Sequence, residues 1–459
     1  MDWPSLAVAY FLVDWIVRIA FLVLIPTQTR PENARSWILL ALFLPIPAAI
    51  AFGLIGRTKI PQWRQVRYDA FDEIEAGEGD TSENVDDQTS QLVRELGGYG
   101  RSTASHVQCI DDYESFIDIL VDNIDRSCRI VMLQTYIFSD DPTGERILAA
   151  LARASARGVA CYVLFDALGS HRWANHVSRQ LLEAGVSLQI AAAFRWSIRR
   201  WLRVDLRIHR KIYICDSTGY LGSQNLVARD FRPGVVNDEL MLEVRGPIVN
   251  DLARQFRRDW FVESAKWLPP IEQSKLGAIP AQLMPSGPEY ADGAFELLLV
   301  DLIHRARKRV AITTPYFIPE QSLLDAIRIA CLRGIRIELF LSDVVDQVLV
   351  RLAQRSYYTE LLTAGVKVQV YGRHLLHAKH VIVDDDVAYV GSSNVDIRSF
   401  RLNGEVGTVF QNAQVVAMLE KRLQVYRSQS RSLNAGDWSR RSPFRRAIEN
   451  LARLLGPLL

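Results

Sequence analysis

"HAKHVIVDD" (residues 377–385) and "HRKIYICDS" (209–217) are two versions of one phrase: a histidine, a lysine two positions on, a short apolar run, then an aspartate. Ile212 and Ile214 in one copy, and Val381 and Val383 in the other, read as strands entering a core. Residues two apart on a strand share a face, so His209 and Lys211 point together, as do His377 and Lys379. Asp216 and Asp384 fall where a turn is expected. Each is followed by GSxN, with Ser223 and Asn225 in the first copy and Ser392 and Asn394 in the second. The step from aspartate to glycine is one residue shorter in the first copy, which predicts a tighter hairpin there.

Outward from these phrases the repetition continues. "CRIVMLQTYIF" (128–138), "GERILAALARASARG" (144–158) and "VACYVLFDA" (159–167) read as strand, helix and strand. "KRVAITTPYFI" (308–318), "QSLLDAIRIACLRG" (321–334) and "IRIELFLSD" (335–343) give the same order, and "LLEAGVSLQI" (181–190) is answered by "LLTAGVKVQV" (361–370). Whole α/β units recur, so the fold class is α/β with an internal duplication: two similar lobes side by side. A chain of 459 residues with 49% hydrophobic content is long and apolar enough to give each lobe its own core.

Two imidazoles beside two ammoniums suit one chemistry in particular. One ring can attack as a neutral base while the other donates a proton, and the lysines can hold the non-bridging oxygens of an anionic phosphodiester. No metal or cofactor is expected. A lysine two residues from each histidine repels a divalent cation, and "DDD" at 384–386 lacks calcium-loop spacing. Five cysteines without a CxxC pair argue against a disulfide framework or a Cys-rich zinc site, and a net charge of +2 gives no whole-chain signature of a nucleic-acid binder.

HxKxxxxD followed by GSxN, twice in one chain, resembles the phospholipase D superfamily. "TPYFIPEQSLLDAIRIACLRG" (314–334) and "GSSNVDIRSFRLNGE" (391–405) are similar to the second lobe of bacterial cardiolipin synthases. The resemblance implies a membrane phosphatidyltransferase that joins two phosphatidylglycerol molecules into cardiolipin and releases glycerol. It makes His209 the nucleophile of a phosphohistidine intermediate and His377 the proton shuttle, with Lys211, Lys379, Asn225 and Asn394, beside Ser223 and Ser392, around the phosphate. It assigns Glu239 and Glu405, each following a motif, to orient the histidine of that motif. Asp216 and Asp384 belong to the catalytic motif but are expected to brace the hairpins. The implied partners are anionic phospholipids and a membrane, not nucleic acid; oligomeric state has no signature. A phospholipase D hydrolase, with water taking the second step, is the alternative, followed by a nuclease of the same superfamily. A non-enzymatic membrane scaffold is disfavoured because neither copy has lost its histidine or lysine.

The ends of the chain carry other signals. Apolar runs at 6–25 and 37–55 predict an N-terminal two-helix transmembrane hairpin, with Asp14 and Arg18 able to pair one turn apart and Pro45 and Pro47 kinking the second run. The absence of Lys or Arg before Arg18 argues against a cleaved signal peptide. Arg57, Lys59, Arg64 and Arg67 put the lobes on the cytoplasmic side of an inner membrane, as a multi-pass protein. Residues 69–88, rich in Asp and Glu without Lys or Arg, read as a tether. "FRWSIRRWLRVDLRIHR" (194–210) has six arginines and two tryptophans, suited to an anionic lipid surface and equally to nucleic acid. At the C-terminus Phe444, Ile448, Leu451 and Leu455 keep helical spacing beside Arg445, Arg446 and Arg453, which fits an interfacial helix or one docked on a lobe. The expected domains are therefore 1–57 (transmembrane hairpin), 58–105 (acidic linker), 106–275 and 276–430 (the two lobes), and 431–459 (basic amphipathic tail).

Overall fold

The repeats of the sequence reappear as repeated sheet topology. In the first lobe seven strands lie in the order 106–110, 241–245, 218–222, 212–215, 130–135, 160–166, 187–191. In the second, strands 279–286, 403–411, 387–391, 380–383, 309–314, 336–342 and 367–371 occupy the same seven positions, with 102–104 and 430–432 added at the edges. In both lobes the last three of the seven are parallel and the rest antiparallel. The structure is a computed structural model that describes residues 3–29, 31–56, 60–76, 87–192, 205–271, 277–344 and 346–454.

Each lobe packs helices on its outer face, burying Phe116, Leu151 and Val163 in the first and Leu298, Ile327 and Leu339 in the second. The inner faces share one apolar core, in which Ile212, Ile214 and Leu242 of one sheet join Ile382, Val390 and Phe410 of the other. The helices Ile248–Ser264 and Ala413–Ser428 contribute Leu252, Phe256, Leu419 and Leu423 to it. The lobes are thus two halves of a single hydrophobic unit.

The predicted hairpins form, with Asp216 and Ser217 making the two-residue turn of the first and residues 384–386 the longer turn of the second. Asp216 (φ 49°) and Asp384 (φ 52°) are both left-handed, a conformation that Asp tolerates better than most residues.

The described residues up to Trp63, with 205–206, form a separate unit. Its first helix, Trp3–Gln28, contains a 21-residue stretch, Val8–Gln28, long and apolar enough to cross a membrane. The second apolar run does not form the expected second span. It divides into the helices Pro31–Phe43 and Pro45–Ala51 and a wider π turn, Phe52–Gly56. Pro45 has no N–H to extend the preceding helix, and its ring drives Leu44 out of the helical region (φ −136°, ψ 68°). Neither piece reaches the ~20 residues that a span requires. The two-helix transmembrane hairpin, and the multi-pass location built on it, are corrected to one helix of spanning length among the described residues. Asp14 and Arg18 on that helix do pair, at 2.9 Å.

The stretch read as an acidic linker is partly folded. Gln62–Ala76 and Gln88–Gly97 are helices, and Ser102–Ala104 joins the second sheet. Tyr68 and Phe71 are buried, and Asp72 and Glu75 meet Arg258 and Arg257 at 2.7 and 2.8 Å. Two of the acids that suggested a tether, Asp72 and Glu75, are thus matched to a basic helix. Residues 77–86 of that stretch, and 194–204 of the arginine–tryptophan stretch, lie outside the described residues.

Candidate active site

Just before each histidine the chain pairs with the opposite lobe. Residues Arg207–Ile208 run beside Asn403–Gly404 of the second lobe, and Leu375–Leu376 beside Asn237–Asp238 of the first. His209 N–H then donates to Gly404 O and His377 N–H to Asp238 O, both at 2.8 Å. Only beyond the lysines does each segment join its own sheet, at Ile212 and His380. The histidines and lysines therefore stand ahead of their strands, where the chain crosses from one lobe to the other.

This crossing exchanges the carboxylates. His209 Nδ1 is 2.9 Å from Glu405 Oε2, and His377 Nδ1 is 2.8 and 2.9 Å from the two oxygens of Glu239. The expectation that each glutamate serves the histidine of its own motif is corrected: each reaches the ring of the other lobe. A carboxylate on Nδ1 fixes the tautomer with its proton there and leaves Nε2 free to react. Lys211 Nζ donates to His209 O at 2.7 Å and Lys379 Nζ to His377 O, so each lysine curls beneath its own histidine. The ring of Tyr136 stands edge-on to His209 at 5.0 Å.

The GSxN residues build the wall behind. Gly222 and Gly391 are required because a Cβ there would strike the carbonyls of Leu240 and Val406, the residues that follow the two glutamates. Ser392 Oγ donates to Glu405 Oε2 at 2.5 Å, and Ser223 Oγ bridges the backbone of Leu240. Asn225 Oδ1 accepts from Ile137 N–H at 3.2 Å, and its amide nitrogen has no hydrogen bond among the described residues. Asn394 is buried, with a side-chain oxygen unpartnered among those residues.

Asp216 and Asp384 are not brought to the cleft. Each sits at the far end of its hairpin and accepts three backbone N–H groups, from Cys128, Arg129 and Ile130 in one lobe and from Arg307, Lys308 and Arg309 in the other.

Burial dominates the electrostatics. It depresses Lys211 to about 7 and Lys379 to about 8, despite the pull of Glu405 and Glu239. His209 falls to about 4 and His377 well below its ordinary value, first from burial and then, for His377, from Lys379, Lys211 and His209. That the groups of one lobe act on those of the other places all four in a single cleft. The carboxylates differ. Burial lifts Glu239 to about 7. Burial also acts on Glu405, but His209, Lys211 and Ser392 outweigh it and hold Glu405 below its usual range. Ser399 adds a second hydroxyl to Glu405 at 3.0 Å, whereas the corresponding position of the first lobe is Asp230.

Three supporting residues escaped sequence reading. Asp166 and Ser342 end equivalent strands and accept the N–H of Ile208 and Leu376, the residues before the histidines, at 2.9 and 3.1 Å. Comparing strand ends across the duplication could have found them. Arg210, fully buried, donates to Glu405 O at 3.0 Å and to Asp259 at 2.7 and 2.8 Å; its counterpart is Ala378, so the repeat gave no signal.

The family described as "Cardiolipin synthase, PLD-like domain" matches residues 120–260 and 299–426, which contain both histidines and both glutamates. The chain belongs to this family. Among its relatives, the cardiolipin synthase A of Pectobacterium atrosepticum is 29% identical, covering 98% of this chain and 99% of that protein. The cardiolipin synthase A of Pseudomonas fluorescens is 31% identical over 87% of each. Among solved structures, the phosphatidylserine synthase of Haemophilus influenzae matches 81% of this chain and 99% of its own, with a TM-score of 0.61 at 14% identity, a likeness of fold. The cardiolipin synthase family thus accounts for the twin lobes.

Proposed function

We infer that the protein is a phosphatidyltransferase that makes cardiolipin from two molecules of phosphatidylglycerol. One observation carries the reading: two histidines, each held at Nδ1 by the other lobe's glutamate, share a cleft with two buried lysines. In the first step His209 Nε2 attacks phosphorus. The N–P bond forms, the bond to the glycerol oxygen breaks, and His377 gives that oxygen its proton. In the second, a hydroxyl of another phosphatidylglycerol yields its proton to His377 and attacks phosphorus. The N–P bond breaks and cardiolipin leaves. His209 suits the nucleophile's role because Glu405, with two hydroxyl donors, stays ionised beside it.

Charge balance explains how the acid becomes loaded. The lysine and glutamate charges offset one another, and burial keeps both rings neutral. A bound phosphodiester adds one negative charge in a buried site, and protonation of one ring restores neutrality. Lys211, Lys379 and the amide of Asn225 would hold the non-bridging oxygens.

The test is to incubate the purified full-length protein with phosphatidylglycerol in mixed micelles and follow the lipid products. Cardiolipin and glycerol should appear in equal amounts, and His209→Ala and His377→Ala should each lower the rate by at least ~10³-fold. Phosphatidic acid in place of cardiolipin would contradict the reading.

A further inference from the structure

The helix Pro443–Leu454 presents two different edges. Glu449 and Ala452 are buried against the helix Val348–Thr363. There Arg355 Nε donates to Glu449 at 2.9 Å, Arg441 pairs with the other carboxylate oxygen, and the Arg453 guanidinium lies 4.1 Å from the Tyr357 ring. Phe444, Ile448, Leu451 and Leu454 form a second stripe, roughly a third of a turn away at ~100° per residue. These four are 74, 36, 62 and 70% exposed. A helix that only capped the lobe would turn its large apolar residues inward; here the ion pairs of Glu449 hold them outward. The expected choice between a docked and an interfacial helix is therefore not exclusive, because one edge docks and the other is left bare.

Three further features identify what covers the stripe. Arg445 and Arg446 of the same helix, and Arg440 just before it, are exposed and have no carboxylate partner among the described residues. On the supporting helix Val348 and Leu349 are also exposed, ~10 Å before Arg355 by helical rise. They follow Asp346, which accepts the Tyr316 hydroxyl at 2.5 Å and pairs with Arg232, whose charge acts on His377. The bare apolar residues thus begin beside the Asp346–Arg232 pair.

We propose that Pro443–Leu454, with the first turn of Val348–Thr363, is a docking surface for an anionic bilayer. The stripe sits at the boundary of headgroups and acyl chains, and the arginines meet lipid phosphates. The choice of a bilayer over another protein rests on that charge complementarity and on reading the cleft as a lipid site, so the test separates bilayer contact from turnover.

The full-length protein is placed in nanodiscs of phosphatidylcholine with or without phosphatidylglycerol. A bimane on Leu451→Cys, in a chain whose exposed Cys128 is changed to serine, reports quenching by nitroxide lipids. Quenching should be strong in anionic discs and lost with the paired change Arg445→Glu and Arg446→Glu. The paired change Phe444→Asp and Leu451→Asp should lower turnover of vesicle-embedded phosphatidylglycerol by about tenfold or more, the scale of one lost apolar anchor. It should leave turnover of a short-chain, monomerically dispersed phosphatidylglycerol unchanged. A bimane unquenched in anionic discs overturns the proposal, as does its shielding by self-association seen as a doubled mass. Equal loss on both substrates also overturns it. Quenching without any turnover leaves the surface intact and removes the proposed reaction instead.

Discussion

At the scale of residues, the two histidines are distinguished by their carboxylates. Glu405 has the hydroxyls of Ser392 and Ser399, while Glu239 is raised to about 7 by burial. A phosphatidyl ester with a nitrophenol leaving group needs no acid in the first step, so it separates the two roles. With this substrate Glu239→Gln and His377→Ala should still release a burst of nitrophenol, and Glu405→Gln and His209→Ala should not. With phosphatidylglycerol both glutamine variants should lose about 10²–10⁴-fold in kcat, the range seen when a histidine loses its orienting carboxylate. A burst that survives in His209→Ala and vanishes in His377→Ala would exchange the roles. The lysines make a separate prediction. Their values of about 7 and 8 in the empty cleft, down from 10.5, mean that an anion drawing both into the charged form takes up protons above pH 7. Affinity for sulfate, whose charge is constant there, should fall as pH rises from 7 to 9, by about tenfold per pH unit for each proton taken up. Lys211→Arg, charged throughout, should flatten the profile, and a pH-independent affinity in the parent protein would refute the assignment. The same depression makes the unfolded chain bind more protons than the folded one between about pH 7 and 10.5, so the cost of burying these lysines lessens as pH rises.

Among the elements, the hairpins carry their own chemistry. Asp216 joins a left-handed turn to the three N–H groups that start the neighbouring strand. Asp216→Ala loses these charge-assisted bonds and keeps the unfavourable φ, so it should cost about 2–4 kcal/mol of stability. Asp216→Gly removes the φ penalty and should be about 1 kcal/mol less damaging. Thermal unfolding in detergent, followed by circular dichroism, measures both, and kcat of the folded fraction should hold. A collapse of kcat at unchanged Tm would mean that Asp216 takes part in the reaction. The elements also mark what the sequence could convey. Both hairpins, with the tighter first turn, were legible because Asp sits at the same distance from each histidine and GSxN follows that Asp one residue sooner in the first copy. The broken second apolar run was not. Its hydropathy is the same whether the helix continues through Pro45 or restarts there, and only the backbone of Leu44 decides it. The helix Gln62–Ala76 was hidden for another reason: what orders its acidic face is arginines on Ile248–Ser264, far off in the chain.

For the molecule as a whole, the repeats announced two lobes with one sheet order, and two complete motifs announced a shared site. They could not announce which glutamate meets which histidine. Glu239 follows His209 in the chain, yet the parallel pairing of Leu375–Leu376 with Asn237–Asp238 sets it on His377, a contact fixed by the approach of one lobe to the other. That exchange makes each ring depend on both halves, and in one chain it supplies every group the reaction uses. His209→Ala and His377→Ala proteins, purified separately and reconstituted together in one population of vesicles, should therefore stay inactive, because neither holds an intact cleft and neither can lend its surviving ring to the other. Were the lobes instead exchanged between two copies, random pairing would make half of the pairs mixed, each with one of its two sites complete. About a quarter of the parent activity would then return. Recovery at that level would show that the cleft is built across subunits, and its absence would show that a single chain suffices.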